Sequence, residues 1–502
     1  MNKSRLFLII TVIFALDFIV WHKILDQVFL GEGYYYFDRS QDFFSKLDNF
    51  KPLEQLDIFA KIIFDILPPI FGDNIRLYQL FLLLTISSLH ATLFLIITKI
   101  TKSPLIGFSS AVFFLANYIG SFGMMAAGQY QWFLQRVPGM LPTLIAFYYL
   151  EKFFLKKRFI FYVTSVALFM MAVFLAHFST FMLPVFVILP LVQFIDSKSK
   201  IKSLALGVTL TIPFVAISYI FNSQDGQKPT TNPLKFVLIQ DRVIQKTTYQ
   251  VPIISLPPDI IKLIAKNWPN GSLSYPFTKA VDLSTKVLLI IYIGVIFWIR
   301  KGESRLTKLY LTSLLGALSI MFLYVYVDVK LDVYKGIGQS RQFFLSTILL
   351  SIVWSIILYV LFSKRQRLYF FSSLIILTIY VISNSIIINK HIDSIQYSSE
   401  MMQRFITYTK SISDQFTSES IMITPSYLGW PNPMFKLFYA PLGFAFALPL
   451  PGWEEEFRSN SENVFIFDYD YERSGSSFDP ARGKVINLTE KYRAGEKIKF
   501  LQ

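Results

Sequence analysis

Straight after its first apolar run, between Trp21 and Arg76, the chain carries carboxylates, tyrosines and a lysine fixed by a proline: Asp26, Glu32, Tyr34, Tyr35, Tyr36, Asp38 and Lys51-Pro52. A carboxylate can take a proton from an attacking hydroxyl, and lysine offers a compact positive charge to an oxyanion. Proline at 52 presets the backbone and ends helical continuity, so Lys51 is held at one place. Further along stand Arg136, Arg341 and His177, each beside an apolar run. Arginine grips phosphate in a bidentate manner, which suits a phosphorylated ligand, although a helix-end arginine also meets lipid headgroups.

The elements that must position these groups are membrane helices. Of the 502 residues, 53% are hydrophobic and 17% aromatic, with a mean hydropathy of +0.48. That is too much apolar surface for a soluble fold. Apolar runs of spanning length, about 20 residues each, begin near Leu6, Ile75, Pro104, Val137, Phe159, Phe181, Leu204, Val287, Leu306, Gln342 and Leu368. They predict an all-α polytopic membrane protein with about eleven transmembrane helices. The long run from Phe159 to Ile195 must break, and His177-Phe178-Ser179-Thr180 is the polar place for a hairpin.

Charge sets the orientation. With the N-terminus cytoplasmic, the inner loops hold Lys3/Arg5, Lys99/Lys102, Lys152/Lys156/Lys157/Arg158, Lys198/Lys200/Lys202, Arg300/Lys301/Arg305/Lys308 and Lys364/Arg365/Arg367. Basic residues outnumber acids at every inner loop, as the positive-inside rule requires. The net charge of +15 is therefore a topology signal and an attraction to anionic lipid, and nucleic acid is not an expected partner. The expected location is the cell membrane, multi-pass, with the C-terminal part outside. The first run carries Asp17 and ends in Trp21-His22-Lys23 without a small-residue cleavage site, which reads as a retained signal anchor.

Three larger segments then fall outside: residues 22–75, 222–286 and 390–502. In the first, Phe43, Phe44 and Leu47 fit one helical face and Leu56, Phe59, Ala60, Ile63 and Phe64 another, the pattern of helices lying in the interface. The second contains seven prolines and Asn267-Trp268-Pro269 and reads as a lid or substrate-shaping loop. In the third, a helix from His391 to about Phe416 precedes strand-like Ser420–Thr424 and Val464–Asp468, predicting a small extracytoplasmic α/β domain of about 110 residues. The domain division is thus 1–389 and 390–502. Phe467-Asp468-Tyr469-Asp470-Tyr471-Glu472 invites a metal reading, but alternate strand residues face opposite ways, and a solvated strand end explains it better.

Several classes are excluded. Without cysteine there are no disulfides, thiolate nucleophiles or Cys-based metal sites, and four scattered histidines make no His-rich cluster. No P-loop or Rossmann glycine motif opens a helix after a strand. A carboxylate inside an apolar run, as at Asp17, marks a functional pocket or ion pair by default, or snorkels to the interface. His90 reads as a packed polar residue.

The stretch from Glu32 to Ile100 resembles the start of the protein O-mannosyltransferase and aminoarabinose transferase superfamily of GT-C glycosyltransferases. The likeness rests on Glu32, Tyr34 and Tyr36 soon after the first run, on Lys51-Pro52, on Phe71-Gly72, and on Arg76-Leu77 opening the second run. Arg341-Gln342-Phe343 resembles the Arg-Tyr pair that those enzymes carry at a late helix mouth. The chain departs in having Gly31-Glu32 for the family's Asp-Glu and Lys51-Pro52-Leu53 for Lys-Pro-Pro.

The resemblance implies a GT-C-like fold and inverting transfer of a sugar from a polyprenyl-phosphate donor to a protein, lipid or glycan acceptor at the outer face. Glu32 then stands first as general base, with Asp38 and Asp26 near enough to substitute. Lys51, Arg341 and Arg136 would meet the donor phosphate, and His177 would contact substrate if it is not a structural histidine. Tyr35 could stack on a sugar ring, while its neighbours join the interfacial aromatic belt. No organic cofactor is implied, but a carboxylate beside a phosphate is a setting where a divalent metal can bind. Two other classes use the same architecture: a polysaccharide polymerase or ligase leaning on outer-loop arginines such as Arg242, and a non-enzymatic transporter of lipid-linked sugars, which would need related halves around a midplane site. A scaffold that keeps the fold without activity is a fourth reading.

Overall fold

A computed structural model describes residues 2–27, 58–72, 74–117, 136–194, 200–224, 279–300, 304–331, 344–362, 366–411, 414, 421–424, 444–447, 464–468, 484–487, 489–490 and 494. The helices are α1 (Lys3–Trp21), α2 (Ile58–Phe71), α3 (Ile75–Thr101), α4 (Pro104–Leu115), α5 (Val137–Lys156), α6 (Phe159–Leu175), α7 (Leu183–Gln193), α8 (Lys200–Gln224), α9 (Lys279–Arg300), α10 (Ser304–Leu331), α11 (Phe344–Phe362) and α12 (Gln366–Ser411). A helix stands at each of the eleven apolar runs. Among the described residues, six stretches are long and apolar enough to cross a membrane: Lys3–Asp26, Ile75–Thr101, Ile201–Phe221, Ser304–Leu323, Phe344–Leu361 and Phe370–Lys390. The others are shorter apolar helices, apart from α5, whose second half carries Glu151, Lys152 and Lys156. The long run from Phe159 breaks where its polar tetrad stands, in a 3-10 turn at His177–Met182.

Local chemistry sets the helix ends. Asn2 caps α1 by accepting from the Arg5 N–H at 2.9 Å, and Ser103 caps α4 at Ile106 N with Pro104 in the first turn. Helices α3 and α5 both end on a left-handed lysine, Lys102 (φ 58°) and Lys157 (φ 53°). That conformation reverses the chain at once. It joins α3 to α4 and α5 to α6 through two residues each.

The core lies among α3, α10 and α11, with the apolar window of α11 78% buried against 22% for α1. Trp21, Tyr78, Phe94, Phe114, Tyr292 and Tyr310 are fully buried there. The outer faces of α1, α8, α9 and α12 leave Phe7, Ile201, Tyr219, Ile290 and Phe371 exposed, as helices facing lipid do. Close approaches use small residues, which let backbones meet in a bundle where lipid is as apolar as leucine. A side chain on Gly107 of α4 would overlap Thr98 Oγ1 and come 2.7 Å from the Phe94 carbonyl of α3.

At the end of the bundle where Lys102 and Lys157 turn the chain, a partly buried polar knot ties three helices together. Gln193 of α7 donates to Glu151 of α5 at 3.2 Å, and Lys308 of α10 donates to the Gln193 carbonyl at 3.2 Å.

After its apolar stretch Phe370–Lys390, α12 continues unbroken to Ser411, passing through the boundary expected at 389/390. Its 46 residues span about 69 Å. Beyond it, four strands, β1 (Ile421–Thr424), β2 (Phe444–Ala447), β3 (Val464–Asp468) and β4 (Lys484–Asn487), form a sheet in the order β2-β1-β3-β4. β1 pairs in parallel with β2 and β3, and β3 pairs antiparallel with β4. Two of the strands, β1 and β3, are the segments that sequence alternation picks out.

Replacing Gly107 by valine should lower stability by about 1–3 kcal/mol. Gly294→Ala, where no atom lies within 4 Å of the added carbon, should leave it unchanged or slightly raised. Thermal unfolding of the two purified variants checks this, and equal melting temperatures would refute the close approach.

Candidate functional site

The helix directions define one end of the bundle as the place to look. Lys99, near the end of α3, lies over the ring of Tyr148 on α5, so α3 and α5 run the same way. Asp26, just past α1, meets Arg76 at the start of α3, so α1 runs opposite to both. The beginnings of α3 and α5 and the finish of α1 therefore share the end opposite the lysine-rich turns.

At that end α1 passes into a 3-10 turn, His22–Asp26. Lys23 Nζ donates to Asp393 Oδ1 of α12 at 2.6 Å, and Arg76 Nη2 to Asp26 Oδ1 at 2.7 Å. Both pairs are solvent-accessible and weak in energy, worth about 0–1 kcal/mol each. The buried amides matter more: Gln27 Nε2 donates to the Ile392 carbonyl at 3.1 Å, and Gln79 Nε2 to the Gln27 carbonyl at 3.2 Å. Gln27 and Gln79 are 1% and 2% exposed. They lock α12 and α3 to the residue at which the first long connecting segment departs.

Below this network sits a polar pair inside the bundle. His90 Nδ1 donates to the Asp17 carboxylate, 2.9 and 3.0 Å from its two oxygens, and both side chains are fully buried. Phe114 packs edge-on against His90, with ring centroids 4.7 Å apart. The snorkelling alternative for Asp17 is thereby corrected, because a partner within reach on α3 satisfies the carboxylate without the interface. Trp21 Nε1 donates to the Leu115 carbonyl at 3.3 Å and closes the same corner.

Arg136 and His177 meet through Phe178. Arg136 is 1% exposed, and its guanidinium carbon lies 3.9 Å from the centroid of the Phe178 ring, a cation–π distance. The His177 and Phe178 ring centroids are 4.3 Å apart. Ser179, fully buried, faces Gly139 of α5.

Of the sequence-expected site residues, Asp26, Arg136 and His177 are described, and Asp26 is engaged by Arg76. Glu32, Asp38, Tyr35, Lys51 and Arg341 lie outside the described residues, as does the Asn222–Lys286 segment beyond Gln224 until α9 begins. Sequence reasoning missed Gln27, Gln79, Ser179 and Gly139, and it left Asp17 without its histidine. Only the unusual setting of a carboxylate and a histidine in two apolar runs signalled that pairing. Among the described residues, no three His, Asp or Glu side chains come together as a metal site would require.

Removing one member of the buried pair leaves the other polar group stranded among apolar side chains. Asp17→Leu or His90→Leu should each cost about 3 kcal/mol or more. The double variant should recover much of that loss, since both partners have gone, and settle on the order of 1 kcal/mol below wild type. A double-mutant cycle on thermal unfolding measures it, and strict additivity would show that the two side chains do not interact.

No protein-family model matches this chain, and no curated protein matches it.

Proposed function

We propose that the chain is a membrane glycosyltransferase. It moves a sugar from a polyprenyl-phosphate donor to an acceptor at the outer face, with inversion at the anomeric carbon. The observation that carries this reading is the concentration of polar and cationic groups at the bundle end opposite the lysine-rich turns. Lys23, Asp26, Gln27 and Arg76 anchor the start of the segment bearing Glu32, Asp38 and Lys51, and a buried arginine stands at the same end. An apolar bundle with charge gathered at one mouth suits a substrate that joins a prenyl chain to a phosphate and a sugar.

In this reading the fold is GT-C-like, with about eleven spans, a cytoplasmic N-terminus and a small α/β domain outside. The chemistry needs few groups. Glu32 takes the proton of the acceptor hydroxyl as it attacks C1. Lys51 and Arg341 hold the phosphate and stabilise it as it leaves, and Tyr35 stacks on the sugar. Asp38 is the next carboxylate in reach, whereas Asp26 is spent on Arg76.

Transfer from a panel of polyprenyl-phosphate monosaccharides by purified wild type should fall about 100-fold or more in Glu32→Gln, with melting temperature matched. Full activity in Glu32→Gln and loss in Asp38→Asn would move the base. Absence of transfer by wild type from every donor would overturn the reading.

A further inference from the structure

We infer that the N-terminus of α5, with Arg136, Gly139 and Ser179, seats the phosphoryl group of a lipid phosphate ester. The inference rests on the lipid-linked-substrate reading above for its biological sense, but its geometry stands apart from it.

Four observations converge on that point. Arg136 occupies the N-cap position of α5, and its side chain does not cap the helix. The first-turn N–H groups of Val137 and Gly139 therefore point out of a 20-residue helix at its partially positive end, the geometry that receives anions. Pro138, between them, has no N–H to offer but fixes the turn. Beside this turn lies the Arg136 guanidinium, buried and held over Phe178 at 3.9 Å. That contact presets its position, and guanidinium is the side chain best matched to phosphate oxygens.

The fourth observation is a buried hydroxyl at the same turn. Ser179 is fully buried, yet its Oγ makes no hydrogen bond. A buried hydroxyl in that state calls for an explanation. It faces the bare backbone of Gly139, where any side chain would overlap it and would also press on Ala176 Cβ at 2.8 Å and the Ala172 carbonyl at 3.0 Å. The missing side chain lets the Ser179 hydroxyl lie against the first turn of α5, and with Arg136 at the N-cap of that turn and packed on Phe178, the residue before Ser179, helix N–H, hydroxyl and guanidinium belong to one corner of the fold. A tetrahedral anion with several oxygens can engage all three.

The surroundings favour an anion carried by a lipid. Met170 and Met171, in the last turns of α6 before the hairpin, are half exposed. They give an apolar wall on which a prenyl or acyl chain can lie while its phosphate reaches α5. The shared chemistry is a phosphate ester on a hydrocarbon chain, whether polyprenyl phosphate or a phospholipid headgroup.

Binding to the purified full-length protein in detergent tests this, with undecaprenyl phosphate, undecaprenol, phosphatidylglycerol and inorganic phosphate as probes. Wild type should prefer undecaprenyl phosphate over undecaprenol by at least about tenfold. Arg136→Gln should abolish that preference, and Ser179→Ala should reduce it by roughly threefold to tenfold. Lys156→Gln, at the far end of the same helix, should leave it unchanged. Competition by phosphatidylglycerol at equal concentration would assign the seat to ordinary headgroups, and its failure would assign it to the polyprenyl ester. Competition by inorganic phosphate alone at similar concentration would overturn the lipid part of the inference.

The inference fails outright if Ser179→Ala and Arg136→Gln, with wild-type melting temperatures, keep the full preference. Should Arg136→Gln not fold, Ser179→Ala decides. Phosphate preference without sugar transfer would sink the enzymatic reading and leave this site standing. Transfer with no change in either variant would do the reverse.

Discussion

The hydrogen-bonded pair of Asp17 and His90 holds the first helix where everything after it needs it to be. Helix α1 is apolar on all sides, and Phe7, Leu8, Phe18 and Ile19 face outward. In lipid such a helix gains almost nothing by burying its other face, because hydrocarbon and leucine are equivalent surroundings. What distinguishes one docking from another is a polar contact that lipid cannot replace. Asp17 has no acceptable partner in hydrocarbon and finds one on α3. The pair thus fixes both the rotation and the depth of α1.

From that fixed point, position passes outward through progressively more exposed contacts. Trp21 reaches the end of α4 at Leu115, Gln27 reaches the α12 backbone at Ile392, and Gln79 reaches back to Gln27. The ion pairs Lys23–Asp393 and Asp26–Arg76 lie at the rim, where water competes with them. The amide bonds beneath are shielded, and breaking one would leave a buried donor unmet. Because α12 continues without a break to Ser411, Gln27, where the first long segment starts, is bonded to the helix that leads along the chain to the C-terminal strands.

Different physical signals made different parts legible in the sequence. Helix positions followed from apolar run length, and the hairpin at His177–Met182 followed from a polar tetrad in an otherwise apolar stretch. The strands at β1 and β3 carry the runs Ile421-Met422-Ile423 and Val464-Phe465-Ile466, whereas β4 has only Val485-Ile486 between polar ends and β2 alternates Phe with Ala inside a longer apolar stretch that also holds prolines. The pairing of Asp17 with His90 spans 73 positions and depends on how two helices rotate against each other, which periodicity does not encode. The same holds for Arg136. Its type and helix-end location mark it as a headgroup or phosphate ligand, but its burial over Phe178 requires knowing that the hairpin folds onto α5. Glu32, Asp38, Tyr35, Lys51 and Arg341 remain expectations of sequence alone.

The two ends of the bundle are built to opposite specifications. At the basic end the connections are residues 102–103, 157–158, 195–199, 301–303 and 363–365, and two of them begin with a lysine forced into the left-handed region. A non-glycine residue held there carries strain that the surrounding turn must offset. The return at 102–103 and 157–158 is a connection of two residues between successive helices. At the other end the chain leaves 28–57, 118–135, 225–278 and 332–343 between helices, together with most of the polar residues discussed above. Connecting length is thus withheld on the basic face and granted on the opposite one. The buried Arg136 and Ser179 lie toward that face and the Asp17–His90 pair sits deeper, near the middle of α3, whereas the basic end buries Glu151 within a knot that ties α5, α7 and α10 together.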